Sequence, residues 1–178
     1  MTTWIALLRG VNVGGVTIRS ADLSALFRDA LGFADVRTFL ASGNVRFESD
    51  AAAGARGALK HEIEAALRTR FDYDAWIVLV TLHDLQRAID EYPFDATDDA
   101  RQPWVIFCVD AATRSELAEA AASIDDAVDP VAKGPGVIYW NPVKGSSTDT
   151  PFAKVLAKST YKSRTTNRNL RTLLKIAA

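Results

Sequence analysis

Short apolar runs alternate with helical stripes along the first half of the chain. Four segments have the apolar or alternating pattern typical of β-strands: residues 4–8, 36–40, 44–47 and 75–80. In residues 20–31 and 55–71, apolar side chains recur every three or four positions, as they do on one face of a helix. A third helix is expected after Thr81, which has the spacing of a capping box with Asp84. The order strand, helix, strand, strand, helix, strand predicts the split βαβ pattern of a ferredoxin-like fold.

The second half repeats this order of elements without a detectable likeness in sequence. Strands are predicted at residues 104–109, 128–132 and 137–140. Thr113 and Glu116 have the spacing of a capping box for the intervening helix, and Thr150 followed by Pro151 predicts the start of another. A last helix is predicted over residues 166–176. The fold class is therefore α+β, with two ferredoxin-like (βαββα-type) subdomains, antiparallel sheets and a C-terminal helix.

A polar, acidic stretch, PFDATDDARQP, separates the two halves at residues 93–103. Such a composition is typical of a connection between compact units. We therefore expect a first subdomain with its trailing helix at residues 1–92, the connection at 93–103, and a second subdomain with the C-terminal helix at 104–178.

Composition excludes several classes of protein. Hydrophobic residues make up 48% and charged residues 24% of the 178 positions, as in ordinary globular proteins. The net charge of −1 gives no overall attraction to nucleic acid or membrane. Cys108 is the single cysteine, so an intrachain disulfide is excluded and a reducing cytoplasm fits best. No apolar stretch reaches the roughly 18 residues of a membrane span, and the N-terminus has no leader pattern, so we expect no membrane partner.

Charge is spread unevenly along the chain. Residues 84–129 contain twelve acids and three bases. From residue 150 onward there are seven bases and no acids: Lys154, Lys158, Lys162, Arg164, Arg168, Arg171 and Lys175. The favoured interpretation is pairing between the two regions, or a solvated face. The alternative is a C-terminal segment that faces an external anion.

Two glycine-containing turns are expected to meet at one end of the first sheet. In a ferredoxin-like order the third strand lies beside the first and antiparallel to it. The segment RGVN at residues 9–12 ends the first strand, so it should lie near SGN at residues 42–44, which starts the third. Glycines permit close approach of the backbone, and successive N–H groups in such turns can bind anions. Arg9 adds a guanidinium suited to phosphate or carboxylate.

A purely structural turn is the alternative interpretation of the glycine-rich segment. The spacing of Gly10, Gly14 and Gly15 matches neither the dinucleotide fingerprint nor the P-loop. Composition alone therefore leaves both interpretations open.

Three motifs together resemble those of domain-of-unknown-function family 1697: ALLRGVNVGG, RTFLASGNVRFES and TTNRNLRTLLKI. The resemblance extends from about residue 3 to residue 175. It implies an α+β protein of two ferredoxin-like subdomains, mostly bacterial and cytoplasmic, and it implies no established reaction.

The resemblance also implies which positions belong to the family's motifs. They are Arg9, Gly10, Asn12, Gly14 and Gly15; then Ser42, Gly43 and Asn44; and then Thr166, Arg168, Asn169 and Thr172. This chain departs from the family at three places. Asn167 stands where threonine is common, Leu170 replaces the usual tryptophan, and apolar residues 16–18 replace a lysine-bearing loop.

The C-terminal motif has a physical interpretation of its own. If Thr165 or Thr166 caps the last helix, Arg168 and Asn169 lie in its first turn, where free N–H groups favour an anion. Arginine at that position opposes the helix dipole, so it needs an acidic partner. That partner is either a ligand or an acid of residues 84–129, and the sequence leaves both open.

Catalytic chemistry is sparse in the sequence. His61 and His83 lie in polar helical segments and are expected at the surface, and Cys108 in an apolar strand is expected to be a buried, inert thiol. No cluster has metal-ligand spacing, and no Ser/His/Asp set is visible. We therefore assign no catalytic residue, no metal ligand and no cofactor.

The leading hypothesis is a module that binds a small anionic ligand, such as a nucleotide or phosphate ester. Its candidate residues are Arg9, Gly10, Asn12, Gly14, Gly15, Ser42, Gly43 and Asn44, with Thr166, Arg168 and Asn169. One alternative is an enzyme of phosphoryl- or acyl-transfer type, for which a base is missing. The other is a nucleic-acid or protein interaction module. Nucleic acid is the less favoured partner because the RNP1 pattern is absent, and exposed sheet edges are compatible with a homodimer.

Overall fold

The computed structural model describes residues 1–12, 16–39 and 43–178. These residues form a mixed α+β chain with two four-stranded antiparallel sheets and helices. The chain divides into two compact units. The first comprises Met1–Leu85 with Ile176–Ala178, and the second comprises Gln86–Lys175. No helix among the described residues is long and apolar enough to cross a bilayer.

The sheet of the first unit has the strand order β2-β3-β1-β4. Its strands are β1 (Thr2–Leu8), β2 (Ala34–Phe39), β3 (Asn44–Ser49) and β4 (Ile77–Thr81). The helices are α1 (Ser20–Ala25), which continues as a π-helical turn (Leu26–Ala30), and α2 (Arg56–Phe71) after a 3₁₀ turn (Ala53–Ala55). Helix α3 (Leu82–Asp90) begins directly after β4, and its residues from Gln86 onward belong to the second unit. Because β3 and β4 both pair with β1, β1 is a central strand and its last five residues are all buried.

The core of the first unit lies between one face of this sheet and the helices α1 and α2. Alternate residues of β1 and β3 point into it, as the pleat of a strand requires. Phe27 and Phe47 meet edge to face at 5.3 Å, and Phe33 stacks on Phe47 at 4.5 Å. The other buried side chains of this core include Trp4, Ala6, Leu8, Val45, Leu59, Ile63 and Leu67.

A buried glutamate fixes α2 to the start of β4. Glu64 is largely buried, and its Oε1 accepts a hydrogen bond of 2.9 Å from the backbone N–H of Ile77. Lys60, one turn earlier on α2, donates to the same oxygen. A buried carboxylate needs such partners to offset its lost hydration. The contact therefore determines where the chain enters β4.

The sheet of the second unit has the strand order β6-β7-β5-β8. Its strands are β5 (Trp104–Cys108), β6 (Val131–Lys133), β7 (Val137–Trp140) and β8 (Thr165–Asn169). The helices are α4 (Ala111–Ala121), α5 (Pro151–Leu156), α6 (Ser159–Lys162) and α7 (Leu170–Ala177), of which α7 has its last two residues in the first unit. The core of this unit includes Ile106, Leu117, Ile138, Trp140, Phe152 and Leu156.

The sequence-based prediction of the last helix was wrong at its start. Residues Thr165–Asn169 form β8, antiparallel to β5, and the helix begins only at Leu170. Two adjacent β-branched threonines favour an extended backbone, and pairing with β5 satisfies its hydrogen bonds. The cap of α7 is Asn169, whose Oδ1 accepts a hydrogen bond of 2.9 Å from the N–H of Arg171. Neither Thr165 nor Thr166 therefore caps this helix.

The hydrogen bonds at the helix N-termini test the capping residues that we predicted from the sequence. The box between Thr81 and Asp84 is confirmed, with distances of 3.1 and 3.4 Å, and Thr150 caps α5 at 3.2 Å. The box predicted for Thr113 and Glu116 is wrong. Asp110 caps α4 instead, and its Oδ1 accepts 2.7 Å bonds from both the N–H and the hydroxyl of Thr113. These two bonds hold the pKa of Asp110 below its ordinary value.

We expect the cap at Asp110 to make stability depend on pH. Asp110→Ala should lower the free energy of unfolding by about 1 kcal/mol at neutral pH. Because the folded-state pKa is lowered, this contribution is present above about pH 4 and is lost as the pH falls through the folded pKa. Urea unfolding of both proteins at neutral and strongly acidic pH measures it. An equal difference at both pH values would contradict this assignment.

A buried carboxylate connects β7 to α5 in the second unit. Asp129 is only 1% exposed, and its two oxygens accept bonds from Trp140 Nε1 at 2.9 Å and from the N–H of Phe152 at 2.8 Å. Phe152 lies in the first turn of α5, where free N–H groups favour a negative charge.

Removing this carboxylate should destabilise the second unit. Asp129→Ala leaves two buried donors without an acceptor, so we expect a loss of about 1–3 kcal/mol in the free energy of unfolding. The matched control is Asp126→Ala, because Asp126 is exposed, and it should change stability by less than about 0.5 kcal/mol. Urea denaturation compares the two variants, and similar losses would show that Asp129 does not act in this way.

Candidate functional site

Three strand ends meet at one end of the first unit's sheet. Leu7 lies opposite Asn44 in the β1–β3 pair, and the N–H of Leu8 donates to Gly43 O at 2.8 Å. On the other side of β1, the N–H of Arg9 donates to Trp76 O at 3.4 Å. The end of β1 therefore lies between the start of β3 and the start of β4. The predicted meeting of the first and third strands is confirmed.

Arg9 stacks on an aromatic side chain at this end of the sheet. Its Cζ lies 5.2 Å from the centroid of the Trp76 ring, within the range of a cation–π contact. Both side chains are half-buried. Burial lowers the pKa of the Arg9 guanidinium from its ordinary value, although an arginine stays charged at neutral pH. The site thus holds a positive charge in partial isolation from water.

Asn12 shapes the backbone that follows Arg9. It has a left-handed φ of 58°, and its N–H donates to Val16 O at 2.6 Å. Its side-chain oxygen accepts a 3.1 Å bond from the N–H of Ile18. This oxygen holds the bend between β1 and α1 together, which supports the structural interpretation for Asn12 itself.

Asn44 also has an internal role. Its side chain is fully buried, and its Nδ2 donates to Phe39 O at 2.9 Å across the β2–β3 pair. The amide therefore fixes the register where β3 begins. Of the polar side chains that we predicted for this end of the sheet and that the structure describes, Arg9 has the strongest case for contact with a ligand.

The glycines around these strand ends are required by the backbone. Gly43 has a φ of +72°, and a Cβ there would lie 2.9 Å from Leu8 Cβ, so β1 and β3 approach too closely for a side chain. Gly10 has a φ of +73°, with open space around the position of a Cβ. We call Arg9, Gly10, Gly43 and Trp76 the strand-end site. Gly14, Gly15 and Ser42, which we also predicted, lie outside the described residues.

The third predicted motif lies in the second unit. Thr166 and Arg168 are buried in β8, where Arg168 Nη1 donates to Thr166 Oγ1 at 2.7 Å and to Asn167 O at 2.9 Å. The predicted placement of Arg168 and Asn169 in the first turn of a helix was wrong, because β8 occupies these positions. These contacts are with a hydroxyl and a carbonyl of its own strand.

Two of the C-terminal bases pair with the acidic region, as we predicted. Arg164 makes two 3.0 Å bonds to the carboxylate of Glu116 and donates to Thr113 Oγ1 at 2.9 Å. Arg171 lies 3.5 Å from Asp99. Charge pairing between the two regions is thus confirmed for these arginines.

The candidate nucleophiles and bases lie elsewhere in the chain. His61 and His83 are exposed, as we predicted. Burial raises the pKa of Cys108 to about 12, so its thiol is neutral and inert at neutral pH. Among the described residues, no group of three His, Cys, Asp or Glu side chains could hold a metal ion.

Sequence reasoning missed Trp76. The signal that could have found it is topological. In a ferredoxin-like fold the fourth strand flanks the first and runs antiparallel to it, so residues at the start of the fourth strand lie beside the end of the first. An aromatic residue at that position lies next to Arg9, which is the first charged residue after β1.

Comparison with known proteins agrees with this architecture. The fold is that of a mixed α+β protein, and the chain belongs to the family described as "Protein of unknown function (DUF1697)", whose model matches residues 1–139. The first two motifs lie within the matched residues, and the third lies beyond them.

A solved structure has a similar fold. It is described as that of the conserved bacterial protein SP0830 from Streptococcus pneumoniae, with a TM-score of 0.80 and 23% sequence identity. The match covers 99% of this chain and 97% of that chain. No curated protein matches this chain.

Two glycine substitutions should separate backbone strain from steric overlap at the strand-end site. We expect Gly10→Ala to lower the free energy of unfolding by about 1–2 kcal/mol, because only the left-handed φ is unfavourable. Gly43→Ala should cost more, since its Cβ would also overlap that of Leu8. Urea unfolding measures both. A Gly43→Ala variant as stable as Gly10→Ala would contradict the close approach of β1 and β3.

Proposed function

We propose that the protein binds a small anionic ligand, a nucleotide or a phosphate ester, at the strand-end site. The observation that carries this proposal is the half-buried guanidinium of Arg9 held on the face of Trp76. A planar guanidinium presents a fork of N–H donors that matches the oxygens of phosphate and carboxylate.

Partial burial makes Arg9 a better anion ligand than an exposed arginine. The lowered pKa of Arg9 has desolvation as its cause, which means that part of its hydration has already been removed. An arriving anion therefore displaces less water from this side chain than from a fully exposed arginine, and the attraction is less screened than at the surface. The contact with Trp76 fixes the side chain, which reduces the entropy lost on binding.

The backbone next to Arg9 supports the same proposal. Gly10 and Asn12 both have left-handed φ values, as residues do in turns whose N–H groups bind anions, although the N–H of Asn12 itself already donates to Val16 O. Gly14 and Gly15 follow Asn12 closely in sequence and Ser42 immediately precedes Gly43, and we include these three residues in the proposed site.

Ligand-induced stabilisation tests this proposal. We expect inorganic phosphate, nucleoside mono- and triphosphates or sugar phosphates to raise the melting temperature, since a ligand at about 100 times its Kd adds about 2.7 kcal/mol. Arg9→Ala should abolish the rise, and Arg9→Lys should reduce it because the planar fork is lost.

The matched control is Arg28→Ala, which removes an exposed arginine paired with Asp29 and should leave the ligand response unchanged. An Arg9→Ala variant that responds like the wild-type protein would refute the role of Arg9. A panel in which no anion stabilises the wild-type protein would refute the proposed function itself.

We also propose that each sheet with its helices is a ferredoxin-like subdomain, at residues 1–92 and 104–178, with residues 93–103 as the connection. The strand orders β2-β3-β1-β4 and β6-β7-β5-β8 support this, because they are the same when each half is numbered separately.

The single cysteine supports a cytoplasmic location.

A further inference from the structure

Three exposed lysines lie close together in sequence in the second unit, on α5, on α6 and between these two helices. Lys154, Lys158 and Lys162 are all exposed, and none makes an ion pair or a side-chain hydrogen bond with another described residue. Ser159, Thr160 and Ser163, in the same segment, are exposed as well. We call residues 154–163 the lysine segment.

The acidic region does not neutralise this segment. Where C-terminal bases pair with acids of residues 84–129, the bases are arginines: Arg164 with Glu116 and Arg171 with Asp99. The lysine segment contains no acid, and none follows it in the chain. Charge pairing with acids therefore accounts for Arg164 and Arg171, whereas the three lysines of the segment remain charged and exposed to solvent.

Buried anchors hold the lysine segment in place. Phe152 and Leu156 of α5 and Tyr161 of α6 pack into the core of the second unit. The N–H of Lys158 donates to Val155 O at 3.1 Å, and the N–H of Tyr161 donates to Lys158 O at 3.0 Å. The backbone that carries the lysines is thus fixed by packing and hydrogen bonds.

The composition of the segment selects one class of partner. Ammonium and hydroxyl groups are donors that contact phosphate oxygens in nucleic acids. The exposed large apolar residues of the described chain, which a membrane surface would need, lie elsewhere, at Met1, Val109, Val128, Val143 and Leu174. The aromatic residue of the segment, Tyr161, is buried, so it offers no stacking platform for the bases of a single strand.

We propose that the lysine segment binds the phosphate backbone of a nucleic-acid duplex without reading its base sequence. This contact is separate from the strand-end site in its residues and in its ligand. Lys154, Lys158 and Lys162 supply the charge, and Ser159, Thr160 and Ser163 supply hydroxyl donors.

Salt dependence of binding tests the proposal. The probe is a fluorescein-labelled DNA duplex of about 20 base pairs, followed by fluorescence anisotropy. Three neutralised phosphates give a slope of about −2.7 in log K against log salt, or about a 40-fold loss of affinity between about 50 and 200 mM salt. The triple variant Lys154→Gln, Lys158→Gln, Lys162→Gln should bring this slope close to zero.

A second triple variant controls for net charge. Arg19→Gln, Arg28→Gln and Arg37→Gln remove the same charge from exposed arginines that pair with acids in the first unit. This variant should keep the wild-type slope, and circular dichroism checks that both variants fold. Equal loss of binding in both variants, no salt-dependent binding by the wild-type protein, or stronger binding to single strands or anionic vesicles would each overturn the proposal.

Discussion

The antiparallel pairing of β1 with β3 on one side and β4 on the other is the constraint on which the candidate site depends. Strand pairing fixes the register, so Leu7 lies opposite Asn44 and Leu8 opposite Ile77. Residues separated by more than thirty positions in sequence thereby become neighbours at one end of the sheet. Gly43 permits the close approach of β1 and β3, and Glu64 fixes the entry into β4.

The free energy of Arg9 contains an unfavourable desolvation term and a favourable contact with an aromatic ring. Partial burial of a guanidinium costs solvation free energy, and the contact with Trp76 recovers about 0.5–2 kcal/mol of it. An anion that binds at the same place would recover more, since a charge-assisted hydrogen bond is stronger in a partly desolvated site. This balance is the physical basis for our view that the strand-end site is a binding site, whereas Asn12 and Asn44 mainly maintain the fold around it.

The sequence was informative where a pattern has a local cause. The apolar run of β1, the box at Thr81 and Asp84 and the cap at Thr150 all follow from neighbouring residues, and the structure confirms them. The predictions failed where the structure of a segment is determined by a residue or strand far away in sequence. Residues Thr165–Asn169 are polar and stand next to residues with the apolar periodicity of a helix. They nevertheless form a strand, because they pair with β5. Trp76 was missed because its importance comes only from its position beside Arg9.

The most direct test of this account is a two-dimensional ¹H–¹⁵N NMR titration with ATP or inorganic phosphate. We expect shifts concentrated in the backbone signals of Arg9, Gly10 and Gly43 and in the indole N–H of Trp76, with little change in the second unit. Shifts that avoid these four residues, or a spectrum that neither ligand changes, would contradict it.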